Sequence, residues 1–157
     1  MRDLFVILAF GLATFLQGCY QVQRPTLTPL EIQSMQTRNY DSSKKVVFPS
    51  VISVFQDLGY TVTNADLETG LISAESAAQS DATSRMFGFT KVTQTKATGF
   101  VETIRRETRV RLNFVEVSQT SSGYGQNDRH DTPILNAALY QNAFEKIENA
   151  IFIRTSH

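Results

Sequence analysis

The chain has 157 residues, with 15 basic and 15 acidic side chains, one cysteine and no tryptophan. This length fits a single domain. A formal net charge of zero argues against a general electrostatic interaction with nucleic acid, which needs a basic excess. A single cysteine excludes an intramolecular disulfide and any zinc site built from several cysteines.

The first residues have the layout of a secretory signal. Arg2 and Asp3 precede the uncharged, mostly apolar residues 4–16. A basic residue before such a segment is typical of a signal peptide. A transmembrane helix needs about 20 apolar residues, so this segment is too short. A buried core helix is the alternative, although the segment is apolar all round. We therefore expect residues 1–18 to be a cleaved signal peptide.

The apolar segment ends in Leu16-Gln17-Gly18-Cys19. This sequence resembles the bacterial lipobox, in which a small residue precedes the cysteine and an aliphatic residue lies three before it. The resemblance implies that the Cys19 thiol accepts a diacylglyceryl group, that a peptidase cuts between Gly18 and Cys19, and that the new amino group is acylated. Several acyl chains anchor a protein stably, at about 0.8 kcal/mol per buried CH₂. A free buried cysteine is the alternative.

The residue after the cysteine bears on the destination of the protein. It is Tyr20, not the aspartate that is associated with inner-membrane retention in enterobacteria. The resemblance therefore implies the outer membrane of a Gram-negative bacterium, with the domain in the periplasm. The inner membrane remains the alternative.

The mature chain is expected to consist of a tether and one domain. The segment that follows Cys19 contains Pro25 and Pro29, many Gln, Ser and Thr residues, and little apolar periodicity, apart from a possible helical turn at 30–36. Such a composition is typical of a spacer. We therefore assign 19–43 to the lipidated cysteine and a flexible tether, and 44–157 to a single periplasmic domain.

Helix and hairpin patterns begin the predicted domain. Apolar residues spaced three and four apart predict a helix over 49–58, with Pro49 in its first turn and Gly59 at its end. Alternation over 60–63, a turn at 66–70 and a second apolar run at 71–74 predict a hairpin.

The second half of the domain is predicted to contain a strand over 87–95, a long strand and a long helix. Residues 102–119 alternate apolar and charged side chains, which is typical of a half-buried strand. The alternation shifts at 114–117, which predicts either a bulge or local burial of the opposite face. Residues 118–131 read as a polar loop. A helix should begin near Pro133, capped by Asp131 or Thr132. Its apolar stripe is predicted to consist of Tyr140, Phe144, Ile147 and Ile151, supported by Ala143 and Ala150. Together these elements predict an α+β fold with about four antiparallel strands packed on two helices.

The segment Leu58-Gly59-Tyr60, followed by Asp66-Leu-Glu-Thr-Gly70 and by the C-terminal helix, resembles the layout of small bacterial lipoproteins and the helix-grip domains of BamC-like outer-membrane lipoproteins. The resemblance covers about residues 44–153. It implies a non-enzymatic envelope protein attached to a larger assembly, and it brings no catalytic residues.

Two groups of polar residues are candidate sites. Asn127-Asp128-Arg129-His130-Asp131 gathers two carboxylates and an imidazole, but it lacks the ligand pattern of calcium or zinc sites and is predicted to be a solvated loop. The arginines of the long strand could bind lipid headgroups or an acidic partner, although intervening glutamates favour an ordinary solvated sheet surface. These are Arg105, Arg106, Arg109 and Arg111.

No nucleophile elbow, catalytic triad or phosphate-binding loop occurs in the sequence, so we predict no catalytic residue, metal or cofactor. The leading hypothesis is an interaction or accessory module with an unidentified envelope protein partner. One alternative is a module that binds a lipid or peptidoglycan fragment in a groove between the sheet and a helix at 133–152. The other is a periplasmic hydrolase that uses His130 and nearby carboxylates.

Overall fold

The computed structural model describes residues 27–81, 89–122, 125 and 127–156. The predicted signal peptide, with Gly18 and Cys19, lies outside these residues, as does the first part of the predicted tether. The described residues form three helices and seven strands. In chain order these are α1 (Pro29–Gln36), β1 (Thr37–Tyr40), α2 (Lys44–Asp57), β2 (Tyr60–Asp66), β3 (Leu71–Ser76), β4 (Gln79–Asp81), β5 (Phe89–Ile104), β6 (Glu107–Ser122), β7 (Asn127–Pro133) and α3 (Ala137–Thr155).

The strands form one antiparallel sheet with the central order β1-β6-β5-β3-β2. β4 pairs with β5 and β7 pairs with β6, so both extend the sheet along the far half of the long β5–β6 hairpin. The predicted α+β class is confirmed. The predicted count of four strands and two helices is too low. Strands β1, β4 and β7 lie in polar segments and form by pairing with β5 or β6, and helix α1 lies in the predicted tether.

One face of the sheet and the helices enclose the core. On β6, Val110, Leu112 and Phe114 are fully buried, whereas Arg109 and Arg111 lie on the opposite face. The predicted alternation of this strand is therefore confirmed. The predicted apolar stripe of the last helix is also buried; its members are Tyr140, Ala143, Phe144, Ile147 and Ile151.

Helix α2 begins five residues earlier than the sequence predicts. Pro49 is not in its first turn but is the sixth residue of the helix. A proline inside a helix costs about 3 kcal/mol. The longer helix brings Val47 and Phe48 into the core, and burying side chains of this kind contributes about 1.5–3 kcal/mol each. The burial therefore offsets the proline. The helix ends at Asp57, one residue before the predicted end, and Gly59 follows the C-cap Leu58 with a φ of +85°.

Regular structure begins before the predicted domain boundary at residue 44. Helix α1 opens with a capping box in which Thr28 and Glu31 bond each other's backbone N–H groups. Strand β1 follows directly and pairs with β6, with Thr37 opposite Arg111 and Tyr40 opposite Thr108. Residues 29–40, which the sequence analysis assigned to the tether, therefore belong to the folded unit.

The predicted long strand over 102–119 is two strands of one hairpin. Ile104 pairs with Glu107, so Arg105 and Arg106 form a two-residue turn. Such turns normally carry glycine or asparagine because they require a positive φ. In this turn Arg105 has the positive φ, at 58°. The sequence contains no turn signal here, which explains why the turn was not predicted.

Beyond this point the ladder between β5 and β6 is continuous, so the shift in alternation is not a bulge. Val117 is buried on the face opposite Phe114, as in the second predicted alternative.

The predicted polar loop at 118–131 is mainly strand. β6 continues to Ser122, and β7 pairs with it from Asn127 to Pro133. Strand pairing ends at Pro133, because proline has no backbone N–H group to donate to the neighbouring strand. The last helix therefore begins at Ala137, and its cap is Asn136 instead of Asp131 or Thr132.

Candidate functional site

The predicted lipidation site lies outside the described residues, so Gly18 and Cys19 remain predictions from the sequence. None of the helices within 27–81, 89–122 and 127–156 is long and apolar enough to cross a membrane.

The cluster at 127–131 lies on an exposed edge strand. Alternation along β7 places His130 and Asp131 on opposite faces of the strand, so these two side chains do not converge. Asp131 instead accepts two hydrogen bonds from the guanidinium of Arg129, at 2.9 and 3.0 Å. These bonds lower the pKa of Asp131 and raise that of Arg129. Among the described residues no group of three potential ligands is placed to hold a metal ion.

The space between the sheet and α3 is filled by the protein's own side chains. The rings of Phe114 and Tyr140 meet edge to face with centroids 5.2 Å apart, and Phe55 lies against the other side of Phe114 at 6.3 Å. The Tyr140 hydroxyl accepts a hydrogen bond from the backbone N–H of Phe114 at 3.3 Å. The apolar groove that the ligand-binding alternative requires is therefore occupied.

A concave surface among the described residues lies along edge strand β1. Two concavities of about 630 and 610 Å³ adjoin there and share Asn39 and Arg109 in their walls. We call this surface the arginine face and define it by Leu30, Asn39, Arg105, Arg106 and Arg109. The β5–β6 turn supplies two of these residues, and α1, β1 and β6 supply one each. Arg38 also borders the second concavity, but it pairs with buried Val110, so its side chain lies on the helix side of the sheet.

Hydrogen bonds fix the centre of the arginine face. The Asn39 side chain accepts a hydrogen bond from Nε of Arg109 at 3.1 Å and donates one to Glu107 at 2.9 Å. The guanidinium carbon of Arg38 lies 5.3 Å from the ring centroid of Phe144, a cation–π contact. Tyr40, two residues along β1, is buried, and this burial raises the pKa of its hydroxyl. The positive charge of Arg38 opposes that shift.

The sequence indicated only part of this surface. Arg105, Arg106 and Arg109 were recognised, and the structure brings them together at one end of the sheet. Arg111 lies two residues further along β6 on the same face as Arg109. Asn39 was missed because it falls in the predicted tether, and only the pairing of β1 with β6 brings it to Arg109.

A comparison of the sequence with protein-family models and with curated protein sequences finds no match.

Proposed function

We propose that this chain is a lipid-anchored envelope lipoprotein of a Gram-negative bacterium. Its signal peptide is removed before Cys19, and acyl chains on that residue hold the protein in the outer membrane. The α+β domain faces the periplasm and acts as a non-enzymatic interaction or accessory module. The observation that carries the proposal is the apolar leader, which ends directly in Leu16-Gln17-Gly18-Cys19.

The placement of the folded unit is compatible with such an anchor. The first described residue, Leu27, lies eight residues after Cys19. Eight residues span at most about 29 Å when fully extended. The domain would therefore remain close to the bilayer, beginning with exposed helix α1.

The anchor is tested by metabolic labelling with an alkyne analogue of palmitate. The full chain should be labelled and should fractionate with the outer membrane. Cys19→Ala should remove the label and prevent signal cleavage. Asn149→Ala, on the exposed side of α3, is the matched control and should keep both properties. Labelling of the Cys19→Ala variant would contradict the proposal.

The interaction role is tested by photo-crosslinking in cells. Phe152 and Ile153 are 70% and 61% exposed at the end of α3, so a photoreactive residue at either position would sample the surroundings. We expect a reproducible envelope protein in the crosslinked product. Recovery of the lipoprotein alone from these positions and from the arginine face would contradict the accessory role.

A further inference from the structure

The arginine face lies where the chain would leave the membrane. Leu30, in the first turn of α1, lines the same concavity as Arg38, Asn39 and Arg109. The start of the folded chain is therefore next to the arginines. Since Leu27 is eight residues from Cys19, this end of the domain cannot move more than about 29 Å from an anchor at that residue.

Charge is unevenly distributed over the molecule. The arginine face and the adjoining Glu107 contain three arginines and one glutamate, a net charge of +2, whereas the whole chain has a net charge of zero. Lys96–Glu75 and Arg129–Asp131 form ion pairs. Among the described residues, Arg105, Arg106 and Arg109 have no carboxylate oxygen within 4.0 Å of a side-chain nitrogen.

An apolar side chain borders these charges. Leu30 lines the same concavity as Arg109 and is 74% exposed. Exposed leucines beside basic residues are typical of surfaces that lie in the headgroup region of a bilayer. Arginine suits this position because its planar guanidinium can bond two phosphate oxygens at once.

We infer that the arginine face binds the anionic phosphate headgroups of the membrane that carries the anchor. This inference rests on the proposed function, because acylation of Cys19 is what holds the surface within reach of the bilayer. Electrostatic attraction decays over about 8 Å at physiological ionic strength. A tether of at most about 29 Å lets the arginines come within this distance of the bilayer, and the attraction of the headgroups would then hold them there. The domain would then lie in one orientation, with α1 and the β5–β6 turn toward the lipid.

Arginine footprinting on the native full chain tests this orientation. The protein is reconstituted in vesicles of phosphatidylcholine, with or without phosphatidylglycerol, and phenylglyoxal modification of each arginine is followed by mass spectrometry. Each basic residue near an anionic surface favours the bound state by roughly fivefold. Modification of Arg105 and Arg106 should therefore slow at least about threefold in the anionic vesicles.

Arg129 and Arg154 are the internal controls and should react at the same rate in both vesicles. Salt raised from about 0.05 to about 0.5 M should remove the protection, because it shortens the screening length. In the Arg105→Glu/Arg106→Glu variant, protection of Arg109 should also fall. The footprint of the unsubstituted chain does not depend on whether this variant folds.

Equal rates in the two vesicles, or equal slowing of all arginines, would overturn the inference. Protection in native envelope fragments but not in anionic vesicles would also overturn it and would indicate an acidic protein as the partner. The intact mass of the same sample separates this inference from the proposed function. An acylated chain without protection contradicts the arginine face alone, whereas a protected chain without acylation contradicts the anchor alone.

Discussion

Asn136 shows how a single side chain decides where a helix begins. Its Oδ1 accepts hydrogen bonds from the backbone N–H groups of Ala138 and Leu139, at 3.0 and 3.3 Å. The sequence analysis placed the start of this helix near Pro133, since proline is common in a first turn. Pairing of Pro133 with Val115 instead keeps the chain extended for three more residues. Local signals alone could not predict this, because the pairing partner is 18 residues away.

Replacing Asn136 with alanine should lower the free energy of unfolding by about 1 kcal/mol, the usual effect of losing an N-cap. Chemical denaturation followed by circular dichroism measures this value. Thr132→Ala, at the position that the sequence predicted as a cap, is the control and should change stability by less than about 0.5 kcal/mol. A larger loss at Thr132 than at Asn136 would contradict the observed helix start.

Tyr40 links stability to alkaline pH. Its hydroxyl donates a hydrogen bond to the carbonyl oxygen of Phe144 at 3.1 Å, and burial raises its pKa. The unfolded chain releases this proton near pH 10. Above that pH the native state still holds a proton that the unfolded state has lost. The contribution to stability is therefore complete below about pH 10 and falls as the pH rises further.

Tyr40→Phe should lower the free energy of unfolding by about 1 kcal/mol at pH 8, because the hydrogen bond is lost. The original chain should lose the contribution of Tyr40 between about pH 10 and 11, whereas the variant has no such contribution, because phenylalanine does not ionise. The gap between their free energies of unfolding should therefore narrow over this range. Urea unfolding at both pH values measures the gap. Tyr60, whose pKa burial also raises, affects both chains alike. An unchanged gap at pH 11 would disprove the linkage.

At the scale of elements, the sequence predicts those parts whose signals are local. The body of α2, the β2–β3 hairpin and the buried stripe of α3 follow from apolar spacing and from glycine at Gly59 and Gly70. β4 and β7 were not predicted, because all their residues are exposed and no alternation marks them. They exist through pairing with β5 and β6, which a local pattern does not reveal. The β5–β6 turn was missed because Arg105 occupies a position that is usually glycine or asparagine.

The two predicted glycine positions differ in what surrounds them, and this difference gives an element-scale prediction. Gly70 has a φ of +81°, and a Cβ atom there would overlap the backbone carbonyl oxygen of Val101 on β5. Gly59 has a similar φ of +85°, but a Cβ atom there would meet nothing. Gly70→Ala should therefore destabilise the fold by more than about 3 kcal/mol.

Gly59→Ala is the matched control. It should lower the free energy of unfolding by only about 1–2 kcal/mol, because alanine would have to adopt the left-handed backbone conformation but without any steric overlap. Thermal or urea unfolding distinguishes the two variants. Equal losses would show that β3 and β5 are not packed as closely at Gly70 as the structure has them.

At the scale of the whole molecule, the proposed leader and lipid anchor precede a domain that carries one charged surface, the arginine face. The sequence alone predicts the anchor, since its signal lies in four consecutive residues that end at Cys19. It predicts only part of the arginine face, because Asn39 reaches Arg109 through the pairing of β1 with β6. Neither the charge count nor the composition reveals a local excess of +2 within a neutral chain.

The central claim is acylation of Cys19, and the mass of the mature protein purified from native membranes tests it most directly. We expect a chain that begins at Cys19 and carries the added mass of a diacylglyceryl group and an amide-linked acyl chain. The N-terminal peptide should hold all of the added mass. An unmodified amino terminus, or a chain that retains residues 1–18, would contradict the account.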